Sequence, residues 1–169
     1  MNKSFLNLKN FWKNKNVFIT GHTGFKGTWL SLFLNLQGAH IFGYSLKPKK
    51  ISLFNQTKSA KFCKKNFYSD INNLKKLKKN LSKSRPEIIF HLAAQPLVSE
   101  SYSDPVKTFN INIMGTVNLL EAARNVKSIK SIVIITTDKV YKINNSNKSY
   151  DENDEVGGKD PYSSSKACA

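Results

Sequence analysis

The chain has 169 residues, 40% hydrophobic and 11% aromatic, enough for one domain with a buried core. No apolar run approaches the roughly 18 residues that span a bilayer, the polar start Met1–Asn10 lacks the apolar stretch of a secretory signal, and Cys63 and Cys168 have no metal-ligand spacing, so a reduced, cytoplasmic protein without metal or membrane contact is expected. The net charge of +16 is lopsided, with 18 Lys and Arg against the single acid Asp70 in residues 1–85 and 9 against 10 acids in residues 86–169, but only Arg85 and Arg124 are arginines and no basic–aromatic platform exists, so nucleic acid is not an expected partner.

Val17–Thr20 is a short apolar run that predicts a first strand. From Gly24 to Gln37 the apolar residues Phe25, Trp29, Leu30, Leu32, Phe33, Leu34 and Leu36 form a helical stripe closed by Gly38, which predicts a helix with Trp29 in the core. Ala39–Tyr44 predicts a second strand, and residues 47–65 a loop with a short helix. Asn66–Ser69 predicts a short third strand. Asp70 then opens a helix, with Ile71, Leu74, Leu77 and Leu81 on one face and lysines on the other. Glu87–Leu92 predicts a fourth strand. Asp104 followed by Pro105 reads as a helix start, and the helix runs to about Lys127. Ile132–Thr136 is β-branched, as buried parallel strands are. A polar loop over residues 142–159 precedes a last helix that begins near Pro161. Strands alternating with helices define an α/β fold, a doubly wound parallel sheet of Rossmann-like type.

Gly21-His-Thr-Gly24-Phe25-Lys26-Gly27 falls between the first strand and the first helix. There a tight turn and free helix N–H groups suit a pyrophosphate. The second strand ends at Ser45-Leu46-Lys47, without the acid that often takes ribose hydroxyls. Either Ser45 and backbone groups serve the ribose, or a 2′-phosphate is tolerated beside Lys47. Asp70, with Ile71, fits an acceptor for an adenine amino group or a helix N-cap. Tyr162 and Lys166 are one helical turn apart, and a nearby ammonium favours the phenolate, which suits a general base. His91 reads as a hydrogen-bonded structural histidine, His22 as one making local bonds, and His40 as solvent-facing.

The segments HTGFKGTWL (22–30), HLAAQPLV (91–98), NIMGTVNLLE (112–121), TDKVY (137–141) and GGKDPYSSSK (157–166) resemble the CDP-glucose 4,6-dehydratases. These belong to the NAD-dependent epimerase/dehydratase branch of the extended short-chain dehydrogenases/reductases. The resemblance covers nearly the whole chain. The glycine turn, Ala93-Ala94, Asn112 and the Tyr–Lys pair are shared across the superfamily. HTGFKG, AAQPLV, Asp138-Lys139 and GGxDPYS are more specific, since dTDP-glucose dehydratases carry Asp-Glu in place of Asp138-Lys139. Ser99 departs from the pattern, standing where relatives often have Arg.

The resemblance implies conversion of CDP-glucose to CDP-4-keto-6-deoxyglucose through a transient hydride cycle on NAD, with NADP left open. Tyr162 would take the C4-hydroxyl proton. Lys166 would hold the nicotinamide ribose and favour the phenolate, and Thr137 would bond the C4 oxygen. Asp138 would protonate the leaving C6 hydroxyl. Lys139 would act at C5 as a base or as an electrostatic stabiliser. Gly21, Gly24, Phe25, Lys26, Gly27, Asp70, Ile71, Leu92, Ala93 and Ala94 would line the cofactor site, together with Tyr162 and Lys166. Asn112 would fix backbone geometry nearby.

Members of the family continue for about as many residues again, and pair as homodimers through helices corresponding to about Asp104–Lys127 and to the last helix, which begins near Pro161. Residues 1–169 are therefore expected to form an incomplete dinucleotide-binding domain without a substrate domain. Lys166 would lie in a frayed last turn, the fifth-strand edge would be open, and the isolated chain would be inactive. A related epimerase/dehydratase, a non-catalytic dinucleotide-binding remnant and a basic interaction module are the alternatives.

Overall fold

The computed structural model describes residues 10–142 and 149–169. Five described strands, β1 (Asn16–Thr20), β2 (His40–Ser45), β3 (Cys63–Tyr68), β4 (Ile88–His91) and β5 (Ser131–Ile134), form a parallel sheet in the order β3-β2-β1-β4-β5. Helix α1 (Phe25–Leu36) follows β1. A short α2 (Leu53–Gln56) and a 3₁₀ turn (Ser59–Phe62) follow β2, and α3 (Leu74–Ser84) follows β3. After β4 come α4 (Val98–Ser103), α5 (Pro105–Phe109), a π turn (Asn110–Met114) and α6 (Gly115–Ala123). A 3₁₀ turn (Asp138–Val140) and α7 (Pro161–Cys168) follow β5.

The centre of the sheet is β1, whose residues from Val17 to Thr20 are fully buried. Its side chains alternate between two cores. Val17 and Ile19 join Ile41, Leu34 and Ala39 on the α1 side. Phe18 joins Tyr44, Ile89, Leu77, Leu81 and Leu119 on the side of α3 and α6. Each such apolar side chain contributes roughly 1.5–3 kcal/mol by leaving water. The chain runs outward from β1 to β3 on one side and from β4 to β5 on the other. That reversal opens a crevice beyond the carboxyl ends of β1 and β4.

Several expectations are corrected. Trp29 is 53% exposed, and Phe25, Phe33 and Leu36 are exposed with it. Helix α1 instead meets the sheet through Gly27, Thr28, Ser31 and Leu34, because small side chains let its axis come close. The third strand starts three residues earlier than predicted, at Cys63. Asp70 does not cap α3: its Oδ1 accepts from Asn72 N at 2.8 Å, while Asn73 Oδ1 accepts from Lys76 N at 3.0 Å and caps the helix. Ile71 therefore precedes the helix, yet it is buried in the core. The predicted long helix is divided by the π turn and ends at Ala123, and α4 precedes it. Strand β5 is only half-buried, with Val133 37% exposed, because β4 is its only strand partner among the described residues. Residues 143–148 of the predicted polar loop lie outside the described residues.

Candidate active site

Chain reversal after β1 is sharp. Gly21 has φ +72°, and a Cβ there would stand 2.7 Å from Ala93 N, so only glycine fits between the turn and the strand-four loop. Gly21 N donates to Tyr44 O at 2.8 Å, and Gly24 N donates to Gly21 O at 3.0 Å. Gly24 begins α1 without a side-chain cap, and no acid occupies the first turn. The N–H groups at the start of α1 are thus offered to the crevice rather than to a side chain.

Below the turn, a buried polar chain ties β1 to β4 and the π turn. Thr20 Oγ1 accepts from Leu92 N and Ala93 N, both at 3.1 Å, and lies 2.6 Å from His91 Nδ1. With both N–H groups pointing at it, the Thr20 hydroxyl donates to Nδ1. His91 then carries its proton on Nε2, which donates to Thr116 Oγ1 at 3.2 Å. Thr116 Oγ1 donates in turn to Asn112 O at 2.7 Å. His91 is 1% exposed, and burial first, then the charge of Lys166, pushes its pKa down to about 4. It is the satisfied structural histidine that the sequence predicts.

Asn112 holds two segments together. Its Oδ1 accepts from Gln95 N at 2.8 Å, and its Nδ2 donates to Gln95 O at 3.2 Å and to Ser165 Oγ at 2.8 Å. Helix α7 is thereby fixed against the π turn. At its start Asp160 accepts from Ser163 N at 2.9 Å and from the Ser163 hydroxyl, and Pro161 occupies the first helical turn. Burial works against the Asp160 carboxylate, but the bonds from Ser163 and Tyr162 and the charge of Lys139 hold its pKa below the usual value. Lys166 does not lie in a frayed turn: it is 5% exposed, and its Nζ donates to Ile135 O at 2.9 Å. Burial first, then the charge of Lys26, lowers its pKa to about 8.

One cavity of about 790 Å³ runs along the carboxyl ends of the central strands. Every residue assigned to cofactor binding from the sequence lines it: Gly21, Gly24, Phe25, Lys26, Gly27, Asp70, Ile71, Leu92, Ala93, Ala94, Tyr162 and Lys166. The loop after β2 forms a further wall through Leu46, Lys47, Pro48, Lys49, Ile51 and Ser52, with Leu53 at the start of α2, and beyond Lys47 the sequence does not announce it. Thr136 is the last β5-side residue in the lining, and the Thr137–Lys139 turn follows it outside. There Thr137 Oγ1 donates to Asp138 Oδ1 at 3.0 Å, and both Asp138 and Lys139 are exposed. Thr20, Gln95, Thr116, Ser163 and Ser165 position the site without having been singled out. The spacing of Ser163 and Ser165 between Tyr162 and Lys166 is the signal that places both serines on the inner side of α7.

The sheet order, the glycine turn after β1 and a Tyr–Lys helix after β5 define a Rossmann-like domain of the short-chain dehydrogenase/reductase class. Residues 18–169 match the GDP-mannose 4,6 dehydratase family, and the chain belongs to it. It is 48% identical over 162 residues to the CDP-glucose 4,6-dehydratase of Salmonella typhimurium, covering 95% of this chain and 45% of that protein. The UDP-glucose 4-epimerase of Thermus thermophilus, solved as a complex with NAD, superposes with a TM-score of 0.77 at 27% identity, over 89% of this chain and 47% of that one. An epimerase of Methanothermobacter thermautotrophicus shares the fold, with a TM-score of 0.82 at 23% identity over 98% of this chain and 48% of that one. The chain spans about half the length of the curated relatives it matches.

Proposed function

We propose that residues 1–169 form the dinucleotide-binding part of a nucleotide-sugar 4,6-dehydratase that acts on CDP-glucose. The proposal rests on one observation: Tyr162 and Lys166 line the same cavity as the Gly21–Gly27 turn. The lining suits NAD. The uncapped start of α1 and Lys26 would hold the pyrophosphate, Asp70 would accept from the adenine amino group, and Leu92, Ala93 and Ala94 would line the cofactor with neutral groups. NAD, when bound, supplies a reversible hydride acceptor beside the sugar. Tyr162 removes the proton of the C4 hydroxyl. Lys166, one of whose protons is already committed to Ile135 O, would donate to the nicotinamide ribose, and its charge favours the phenolate. Thr137 bonds the C4 oxygen, and Asp138 delivers the proton that lets the C6 hydroxyl leave. Lys139, whose charge already reaches Asp160, serves at C5, either as the base that takes its proton or as an electrostatic stabiliser of the enolate. Two copies pair through the outer face of α5, the π turn and α6, where Val106, Met114, Val117 and Leu120 are exposed.

Asp138 and Lys139 face water in this chain, so acid–base work there lacks a closed site. The 169-residue chain is therefore expected to bind dinucleotide without converting CDP-glucose. A chimera with this chain in place of the matching part of the Salmonella typhimurium enzyme tests the assignment. With CDP-glucose it should form a 4-keto-6-deoxy sugar, and Tyr162→Phe should cut kcat by about 100-fold or more. A folded, NAD-binding chimera that forms no keto sugar from CDP-glucose would refute the assignment of dehydratase machinery to this chain. Product from the 169-residue chain alone, lost in Tyr162→Phe, would refute the expected inactivity.

A further inference from the structure

We propose, building on the dehydratase reading above, that His91 and Thr116 are positioning residues for Tyr162: a one-way series of buried hydrogen bonds runs from the dinucleotide wall to the catalytic helix, so that filling the first firms the second. The series starts where the glycine turn meets the strand-four loop. A Cβ at Gly21 would stand 2.7 Å from Ala93 N, so the turn and the Leu92–Ala93 backbone are in direct contact. Both N–H groups of that backbone donate to Thr20 Oγ1, each at 3.1 Å. Thr20 donates to His91 Nδ1 at 2.6 Å, His91 Nε2 to Thr116 Oγ1 at 3.2 Å, and Thr116 to Asn112 O at 2.7 Å. Asn112 Nδ2 then donates to Ser165 Oγ at 2.8 Å, and Ser165 donates to Tyr162 O at 2.7 Å.

Leu92, Ala93 and Tyr162 line the cavity, whereas Thr20, His91, Asn112, Thr116 and Ser165 do not and are all buried. The five act on the site only through the groups at the two ends. His91 is the crossing point, since it takes a proton from β1 and gives one to α6. Its tautomer is fixed from both sides. Thr20 Oγ1 already accepts two N–H groups, so its own proton goes to Nδ1. Thr116 commits its proton to Asn112 O, so its oxygen receives the Nε2 proton. A side chain that only filled space would need no such match. Turning any member leaves a buried polar atom without a partner, so the series holds as a unit. It ends on the backbone of the proposed general base, where a misplacement of about 1 Å can cost about 100-fold in rate.

Thr116→Val and Thr116→Ser separate positioning from packing, since valine keeps the shape of threonine and serine keeps the hydroxyl. Amide hydrogen exchange in α7 of the 169-residue chain, with and without NAD, reads the coupling without turnover. NAD should slow exchange there in the unaltered chain and in Thr116→Ser, and much less in Thr116→Val. In the Salmonella typhimurium chimera with CDP-glucose, Thr116→Val should lower kcat about tenfold with KM within about twofold, and Thr116→Ser should recover most of that loss. His91→Gln, which can keep the donor to Thr116 but not the acceptor for Thr20, carries the same test where Thr116→Val does not fold. No slowing of α7 by NAD in the unaltered chain, equal slowing in the folded variants, or a raised KM at unchanged kcat overturns the proposal and leaves the dehydratase assignment standing. Failure of both variants to fold overturns it too, by assigning the series to packing alone. An unaltered chimera that forms no keto sugar overturns the dehydratase assignment, and with it the role at Tyr162.

Discussion

His22 fills the space that a side chain on Gly43 would need. A Cβ at Gly43 would lie 2.3 Å from His22 Cδ2. The ring cannot slide away, because Phe54 meets it edge-on at 5.4 Å and Tyr68 stacks at 6.2 Å, while Nε2 is 3.0 Å from Asn66 Oδ1. Gly43→Ala is therefore expected to destabilise the protein by about 1–3 kcal/mol, or roughly 2–4 °C in Tm for each kcal/mol. Removing the ring as well, in His22→Ala/Gly43→Ala, should recover part of that loss, and a thermal-melt double-mutant cycle measures the coupling. The sequence reading of His22 as a maker of local bonds misses this, since Asn66 and Gly43 lie on other strands. A glycine inside a predicted strand was the available sign of close approach. Trp29 misleads for a related reason: its spacing is helical, but small residues on the opposite side of α1 claim the sheet.

The π turn is the element on which the site hangs. It interrupts the α5–α6 helix where Asn112 must reach both Gln95 and Ser165, and π turns widen a helix in this way, frequently at functional sites. Asn112→Asp keeps the acceptor for Gln95 N but loses both donors. The expected cost is about 1–3 kcal/mol, with faster amide hydrogen exchange in α7; unchanged exchange there would contradict the tie. The start of this helical run is readable in Asp104-Pro105, and the capping occurs as predicted, Asp104 Oδ1 accepting from Lys107 N at 3.0 Å. The π turn itself has no local signature, because its cause is a contact with residues far along the chain. Strand β3 was shortened in the sequence reading because Lys64 and Lys65 look like loop. As the outermost strand on its side among the described residues, it tolerates exposed lysines, which blunt a sheet edge.

At the level of the whole molecule, two buried imidazoles add to the response to acid. His22 and His91 both have pKa values lowered to about 4, chiefly by burial. Both are neutral when folded near pH 7, and their unfolded value is about 6.5. The stability they hold is complete above pH 6.5, falls as pH drops toward 4, and is fully lost below that. At pH 5 each accounts for a loss of roughly 2 kcal/mol relative to pH 7.5. Urea unfolding at the two pH values measures this, and His91→Asn should flatten the profile where the buried bonds survive. The fold class and the gathering of the glycine turn, Asp70, Tyr162 and Lys166 follow from strand–helix alternation and motif position. The exposed setting of Asp138 and Lys139, and of β5, does not, because β-branched residues look alike at the centre of a sheet and at its edge.

The strand order also fixes when the sheet can close. Strand β1 pairs with β2 and, on its other side, with β4, where Thr20 faces His91. During synthesis at about 5–20 residues per second, the most buried strand thus leaves the ribosome several seconds before its second neighbour exists. Until then the β1–β2–β3 portion presents Val17, Phe18 and Ile19 beside an unpaired backbone edge. Such an intermediate is where a nascent-chain chaperone has most to shield.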